Sequence, residues 1–345
     1  MKHKKLTIAV AVVASLVLVA AVVLHNLTYT PHGRLDTRVA LLLTLMKAVD
    51  IQLFKEGKTL AESRRTGDSS KLLRSNVDPA WKEIGESIQV KNGTIPLRIY
   101  IPRKAGTVPV VVYYHGGGWF MGSIDTHDGI CRSLAKQADA VVVSVGYRLA
   151  PEHTFPAAAE DAYAGLLWVH ENASSFGGDG SRMAVMGDSA GGNLAAAVTL
   201  MARDRKGPSL ACQVLAYPVT NVGSTNSRSY EKFASGYYLT KRDMETFIAL
   251  YVPDRNDRCD PRVSPLLARD VNGVPPAVVL TAEFDVLRDE GEAYAGRLER
   301  AGIPVFKHRF RGMVHGFLNM GGLLPQSGEA IAMAADRLKG AFREE

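Results

Sequence analysis

The sequence has 345 residues, 46% hydrophobic and 22% charged, which suits one large α/β domain carrying a cap or insertion. That composition excludes a disordered, collagen-like or coiled-coil chain. Lys and Arg number 41 against 35 Asp and Glu, a formal +6, but Lys2, Lys4 and Lys5 hold half of it, so the excess is no nucleic-acid footprint.

Three cysteines, Cys131, Cys212 and Cys259, cannot form a disulfide framework. Cys131 and Cys212 read as small buried hydrophobes and Cys259 as a loop thiol. Neither C-x-x-C nor H-E-x-x-H occurs, so no metal site is expected.

In chain order, Leu6–Leu24 is a run of 19 uncharged residues behind the lysine cluster. As a helix it would span about 28 Å, close to the thickness of a bilayer core. Residues 1–27 therefore read as a membrane anchor or a cleavable signal segment. Val22, Val23 and Leu24 prolong the run past the possible cleavage site at Val19-Ala20-Ala21, which favours the anchor. Either reading places the rest of the chain outside the cytoplasm, anchored or released as a secreted or periplasmic protein.

Residues 28–75 read as a linker followed by cap helices. His25 to Arg34 has linker character. From Leu35 to about Ser75 the apolar spacing is helical until Gly67-Asp68-Ser69-Ser70 breaks it. Residues 76–345 form the main domain. Ile84–Val90 and Thr94–Ile101 flank Lys91-Asn92-Gly93 and predict a hairpin. Continuous apolar runs follow at Val108–Tyr114 and Ala140–Val145. Further strands are expected at Met183–Met186, Cys212–Tyr217, Ala277–Leu280 and Val305–Phe310. Helical stretches at about 126–138, 156–174, 190–204, 288–301 and 328–343 separate them. Uninterrupted apolar strands alternating with helices imply a mostly parallel sheet covered on both faces. The block 222–256, with a helix expected over Thr240–Tyr251, reads as a cap insertion.

Two segments carry chemistry. Gly187-Asp188-Ser189-Ala190-Gly191 is G-x-S-x-G between a strand and a helix, the setting of a nucleophile elbow. The turn demands small neighbours and presents the Ser189 hydroxyl beside helix N–H groups. His115-Gly116-Gly117-Gly118-Trp119 follows a buried strand. A loop free of side chains can offer N–H groups to a developing oxyanion. No nucleotide-binding pattern accompanies these glycines.

A serine nucleophile needs a base and an orienting carboxylate, which follow it in the chain in this fold. Only His308 and His315 follow Ser189. His308 lies within a strand between two basic residues, whereas His315 sits in a glycine-flanked loop and is preferred. Asp285, at the end of its strand, is the preferred acid, and Glu283 is its nearest rival. Asp289 and Glu290 read as first-turn helix residues. Asp188 reads as a tie for the elbow, and Glu152 and His153 as supports for a loop near the cap. Trp119, Phe120, Phe233, Tyr237 and Tyr238 are candidates for lining an acyl pocket, with ordinary packing the alternative.

From about Trp81 onward the chain resembles the hormone-sensitive-lipase-like (family IV) carboxylesterases of the α/β-hydrolase superfamily. The resemblance rests on His115–Trp119 and Gly187–Gly192, supported by Tyr147–His153, Asp260–Leu266 and Asp285–Glu290. It implies an eight-stranded α/β-hydrolase sheet with a helical cap built from the N-terminal helices and the 222–256 insertion. Ser189, Asp285 and His315 are implied as nucleophile, acid and base. Gly117, Gly118 and Ala190 are implied as the oxyanion hole, with His115 and Gly116 supporting its loop. The expected reaction is hydrolysis of short- to medium-chain acyl esters without a cofactor. The expected partners are a small ester and, through the N-terminal segment, a membrane, but no nucleic acid; a homodimer stays open. The same triad would serve an amidase, peptidase or deacetylase, and a non-catalytic binding protein on this fold is the remaining alternative.

Overall fold

The computed structural model describes residues 22–55, 57–68, 82–104 and 106–343, together with Ser15 and Leu18. Most of the Leu6–Leu24 run therefore lies outside the described residues, as do residues 69–75 of the segment expected to carry cap helices. Among the described residues no helix is long and apolar enough to cross a membrane.

Eight strands form the main sheet: β1 (Lys82–Val90), β2 (Gly93–Ile101), β3 (Val108–Tyr114), β4 (Val141–Val145), β5 (Gly178–Asp188), β6 (Cys212–Ala216), β7 (Ala277–Phe284) and β8 (Val305–Val314). Their order across the sheet is β8-β7-β6-β5-β3-β4-β2-β1. β1 and β2 pair antiparallel, as do β2 and β4, and every other pairing is parallel. The apolar runs explain the interior of this order. β4 and β6 are buried along their whole lengths, and in β3 only Pro109 is partly exposed. Edge strand β1 instead exposes most of its side chains.

The strands run longer than their apolar centres. β5 starts five residues before Met183, β7 continues to Phe284, and β8 reaches Val314, one residue before His315. The β1–β2 turn also differs from expectation. Val90 pairs with Gly93, so the turn is Lys91–Asn92, and Asn92 rather than glycine takes the left-handed conformation, at φ 64°.

The helices are α1 (Thr37–Ala48), α2 (Leu60–Asp68), α3 (Asp128–Ala138), α4 (Ala157–Asn172), α5 (Ala190–Asp204), α6 (Arg228–Lys232), α7 (Lys241–Tyr251), α8 (Arg288–Arg300) and α9 (Pro325–Ala341). In the body α3 packs on α9 and α4 on α5. Helix α5 is buried at every position from Ala190 to Ala202, and its Gly-Gly and Ala-rich sequence permits that approach. Helix α7 opens with a reciprocal Thr240–Asp243 capping box, which fixes where the insertion turns helical.

Two expectations for the N-terminal region need correction. The helical pattern after Leu35 is carried by two helices, α1 and α2, and is interrupted earlier than Gly67, because Asp50 and Gly57 take left-handed backbone angles between them. The 25–34 stretch is more than a linker. Residues 22–28 are helical, and Tyr29–Thr30 pairs with Gly33–Arg34. Asp36 N–H then donates to the Gly312 carbonyl at the end of β8 (3.1 Å).

Candidate active site

The loops following β3, β5, β7 and β8 meet at the C-terminal edge of the sheet, where open α/β sheets collect functional groups. At the end of β5 the chain turns into α5 within one residue. Ser189 makes that turn at φ 55° and ψ −120°, a strained backbone for a non-glycine residue. Its neighbours cannot be larger. A Cβ on Gly187 would lie 2.2 Å from the Gly191 carbonyl oxygen, and one on Gly191 would lie 2.0 Å from that of Tyr114. The Asn193 amide braces the turn from below, donating to the Val219 and Val263 carbonyls at 2.9 and 2.8 Å.

The structure brings Ser189, Asp285 and His315 together. His315 Nε2 lies 2.8 Å from Ser189 Oγ, and His315 Nδ1 lies 2.8 Å from Asp285 Oδ2. The other Asp285 oxygen accepts the Leu287 N–H at 2.9 Å. All three side chains are buried, and the Tyr217 ring meets the imidazole edge-on at 4.7 Å between centroids. A carboxylate, an imidazole and a hydroxyl in that order can move the hydroxyl proton onto Nε2. The rivals point elsewhere. Glu283 accepts the Gly312 N–H at 2.7 Å, tying β7 to the end of β8. His308 is exposed on β8 and packs against Phe310.

The glycine loop after β3 faces the same space. Gly117, Gly118, Ser189 and His315 line one cavity of about 780 Å³. Gly117 and Gly118 have φ of 121° and 62°. A Cβ on Gly117 would lie 2.1 Å from the Met121 carbonyl oxygen, and one on Gly118 would lie 2.4 Å from the Phe247 ring. Ala190 is the first residue of α5, so its N–H is among those a helix leaves without an internal acceptor.

Asp188 joins this loop to the elbow. Its carboxylate accepts from Tyr113 Oη (2.8 Å), the Gly116 N–H (2.9 Å) and His127 Nε2 (3.2 Å). Burial works against the charge, but His127 and the hydrogen bonds hold the carboxyl below its ordinary range. The carboxylate sits where a Gly116 Cβ would be, 2.4 Å away. His115 stacks on Tyr147 at 4.2 Å, and Tyr147 Oη donates to the His115 carbonyl at 2.7 Å. Burial and the neighbouring His127 push the His115 imidazole down to about 3, so it stays neutral.

Both cap segments close over the cavity. The lining includes Ala40, Leu43 and Phe54 from the N-terminal segment and Tyr237, Tyr238 and Phe247 from the insertion. Trp119, Phe120 and Phe233, offered as pocket residues, are packed beneath it instead. Trp119 stacks on Tyr251 at 4.7 Å, Phe120 packs on Phe54 at 5.5 Å, and Phe233 meets Phe284 at 5.6 Å. Sequence pattern could not separate the two groups, because all five are aromatic residues in loops or short helices.

Other contributors had no local signal in the sequence. Arg64 of α2 donates from Nε to the Phe120 carbonyl (2.7 Å) and from Nη2 to the Ala150 carbonyl (2.6 Å), and pairs with Glu152. Asp68 accepts the Gly122 N–H at 3.1 Å. The cap thus grips the loop carrying the glycines at two points. Glu290, expected as a first-turn helix residue, is buried and accepts the Thr220 and Asn221 N–H groups at 2.6 and 3.2 Å. Burial pushes its carboxyl up to about 8, and its hydrogen bonds offset only part of that rise.

Fold and site together define an ester-cleaving hydrolase of the α/β-hydrolase class. The family model described as "alpha/beta hydrolase fold" matches residues 111–319. The chain belongs to the hormone-sensitive-lipase-like, family IV carboxylesterases of that superfamily. It is 47% identical over 263 residues to the carboxylic ester hydrolase LipN of Mycobacterium tuberculosis, covering 74% of this chain and 69% of that relative. It is 40% identical over 242 residues to an arylesterase of Saccharolobus solfataricus, covering 70% and 78%. Among solved structures, an ester hydrolase from the metagenome of Lake Arreo superposes with a TM-score of 0.85 at 40% identity, covering 89% of this chain and 99% of that one.

Proposed function

We propose that the chain hydrolyses short- to medium-chain acyl esters through an acyl-enzyme on Ser189. The observation that carries this reading is the pair of 2.8 Å contacts that His315 makes to Ser189 and Asp285. Asp285 holds Nδ1–H, which leaves Nε2 to take the proton as Ser189 Oγ attacks the ester carbonyl. The Gly117, Gly118 and Ala190 N–H groups stabilise the oxygen as it gains charge. Collapse of the tetrahedral intermediate releases the alcohol, which carries off the proton from His315. Water then repeats the sequence on the acyl-enzyme and frees the acid.

Replacing Ser189→Ala is expected to lower kcat on p-nitrophenyl butyrate by about 10⁴-fold or more, with unchanged circular dichroism. Turnover near that of the parent enzyme would overturn the assignment. The cavity of about 780 Å³ supports the chain-length range, and across a p-nitrophenyl ester series rates should drop by palmitate. The Leu6–Leu24 run behind Lys2, Lys4 and Lys5 supports a second element of the proposal, that the catalytic body works outside the cytoplasm, tethered by its N-terminus.

A further inference from the structure

Eleven large apolar side chains stand exposed on the described surface, and ten of them lie between Leu18 and Leu60. The hydrolase body contributes only Leu267. Scattered apolar residues are ordinary on a protein surface, whereas a contiguous group signals a partner. These residues are grouped by the fold. On α1, Leu41 is 50% exposed and Leu45 61%, and Val49 at the end of the helix is 58% exposed. Their spacing of four residues sets them in one stripe along the helix. The opposite side of α1 is also apolar. Val39 is fully buried, and Ala40 and Leu43 line the cavity. A helix that is apolar on both sides calls for an apolar medium on both.

The chain itself says what that medium is. The Leu6–Leu24 run is long enough to cross a bilayer core, and its last residues, Val22 to Leu24, are themselves exposed. Twelve residues separate Leu24 from the first residue of α1, and they are tied down by the Tyr29–Arg34 pairing and by the Asp36 bond to Gly312. A chain tethered at Leu24 therefore holds α1 close to the lipid surface. Arg34 and Arg38 are exposed on the same segment, placed to meet lipid phosphates. Ile51, just past α1, is both 47% exposed and part of the cavity lining, so one mouth of the cavity opens beside the stripe.

We propose that the outward stripe of α1 docks on the lipid bilayer and seats the cavity mouth at the interface, so that esters dissolved in the membrane enter the active site directly from it. This inference rests on the tethered arrangement given under Proposed function. The substrate class is an ester whose acyl chain partitions into lipid.

The test uses the full-length protein in vesicles of phosphatidylcholine and phosphatidylglycerol. Leu41→Lys combined with Leu45→Lys changes neither the triad nor the cavity lining. It is expected to lower hydrolysis of a bilayer-embedded fluorogenic diacylglycerol ester by about tenfold while leaving p-nitrophenyl butyrate turnover unchanged. Equal rates of the variant and the parent on the embedded ester would overturn the proposal, as would parallel loss on both substrates. A dimer-to-monomer change in the variant with retained hydrolysis of the embedded ester would assign the stripe to a second copy of the chain and also overturn it. Leu45→Trp gives an independent reading. Its added fluorescence should be quenched by brominated lipid, and no quenching beyond the parent's overturns the docking. Vesicle flotation of the parent separates the two readings. Flotation of the parent without added quenching in the Leu45→Trp variant removes only the docked cap, and a parent that does not float removes the tether as well.

Discussion

The hydrolase body and the cap are built on opposite terms. In the body, β4 and β6 bury every residue, and the ends of β5 and β7 lead directly to Ser189 and Asp285. In the cap, α1 leaves a row of leucines in the open, and the cap is fastened by a few contacts to loops distant in sequence. The body places reacting atoms through its packing. The cap determines what reaches them and how well the glycine loop is held. Damage to the body's site should therefore abolish turnover, whereas damage to the cap should change its rate and selectivity.

Substitutions at four positions break or sharpen this contrast. Asp285→Asn removes the carboxylate that orients His315, and kcat should fall by about 10⁴-fold while Tm stays near that of the parent. A decrease of less than tenfold would mean that another group orients the imidazole. Arg64→Ala releases the Phe120 and Ala150 carbonyls from the cap. Small displacements of positioning groups cost up to about a hundredfold, so kcat should fall by about ten- to a hundredfold with KM little changed. Arg64→Lys should restore little, because an ammonium cannot hold two carbonyls and the Glu152 carboxylate in one plane. Stopped-flow hydrolysis of p-nitrophenyl butyrate reads both variants.

Phe247→Ala enlarges the cap side of the cavity. The ratio of kcat/KM for p-nitrophenyl octanoate over butyrate should rise by about tenfold, which steady-state assays would show. The smallest effect belongs to Glu290, which joins α8 to the loop after β6. Its carboxyl titrates near 8 in the folded chain against an ordinary value of 4.5. The folded state thus holds its proton more tightly than the unfolded state. The corresponding stability is fully present below about pH 4.5 and is lost as pH rises through about 8. Glu290→Gln, which cannot titrate, should lack that decline. The difference between the two Tm curves from pH 5 to pH 9 is the measurement.

How far the site could be read in advance follows the same division. Ser189 and Asp285 each sit directly after a strand that announces itself by an apolar run, and His315 is one of only two histidines after Ser189 and lies in a glycine-flanked loop, so position in the chain and residue type suffice to pick them out. The Tyr147–His153 and Asp260–Leu266 motifs were visible too, and the structure gives them work. Arg148 pairs with buried Asp161 at 2.7 Å, and Arg262 joins Asp260 to Glu160 at 2.8 and 3.1 Å. Arg64 and His127 were not legible. Each acts on an atom far along the chain, 86 residues away for Arg64 and Ala150 and 61 for His127 and Asp188, and no local periodicity records such a contact. The division of aromatic residues between core and cavity failed for a related reason. Hydrophobicity shows that Trp119 and Phe120 avoid water, but only the closed fold shows whether protein or substrate surrounds them.

Phe247 fits so closely over Gly118 that no side chain could come between them. The attraction between a donor and a growing negative charge scales inversely with local permittivity. A unit-charge pair about 4 Å apart is worth about 1 kcal/mol in water and about 4 kcal/mol at an effective dielectric constant of 20. The ring holds bulk solvent away from one side of the glycine loop. On the proposed mechanism, the cap would lower the barrier as a dielectric, without contact with the reacting atoms. A body given a shorter cap would keep every distance in the triad and still react more slowly.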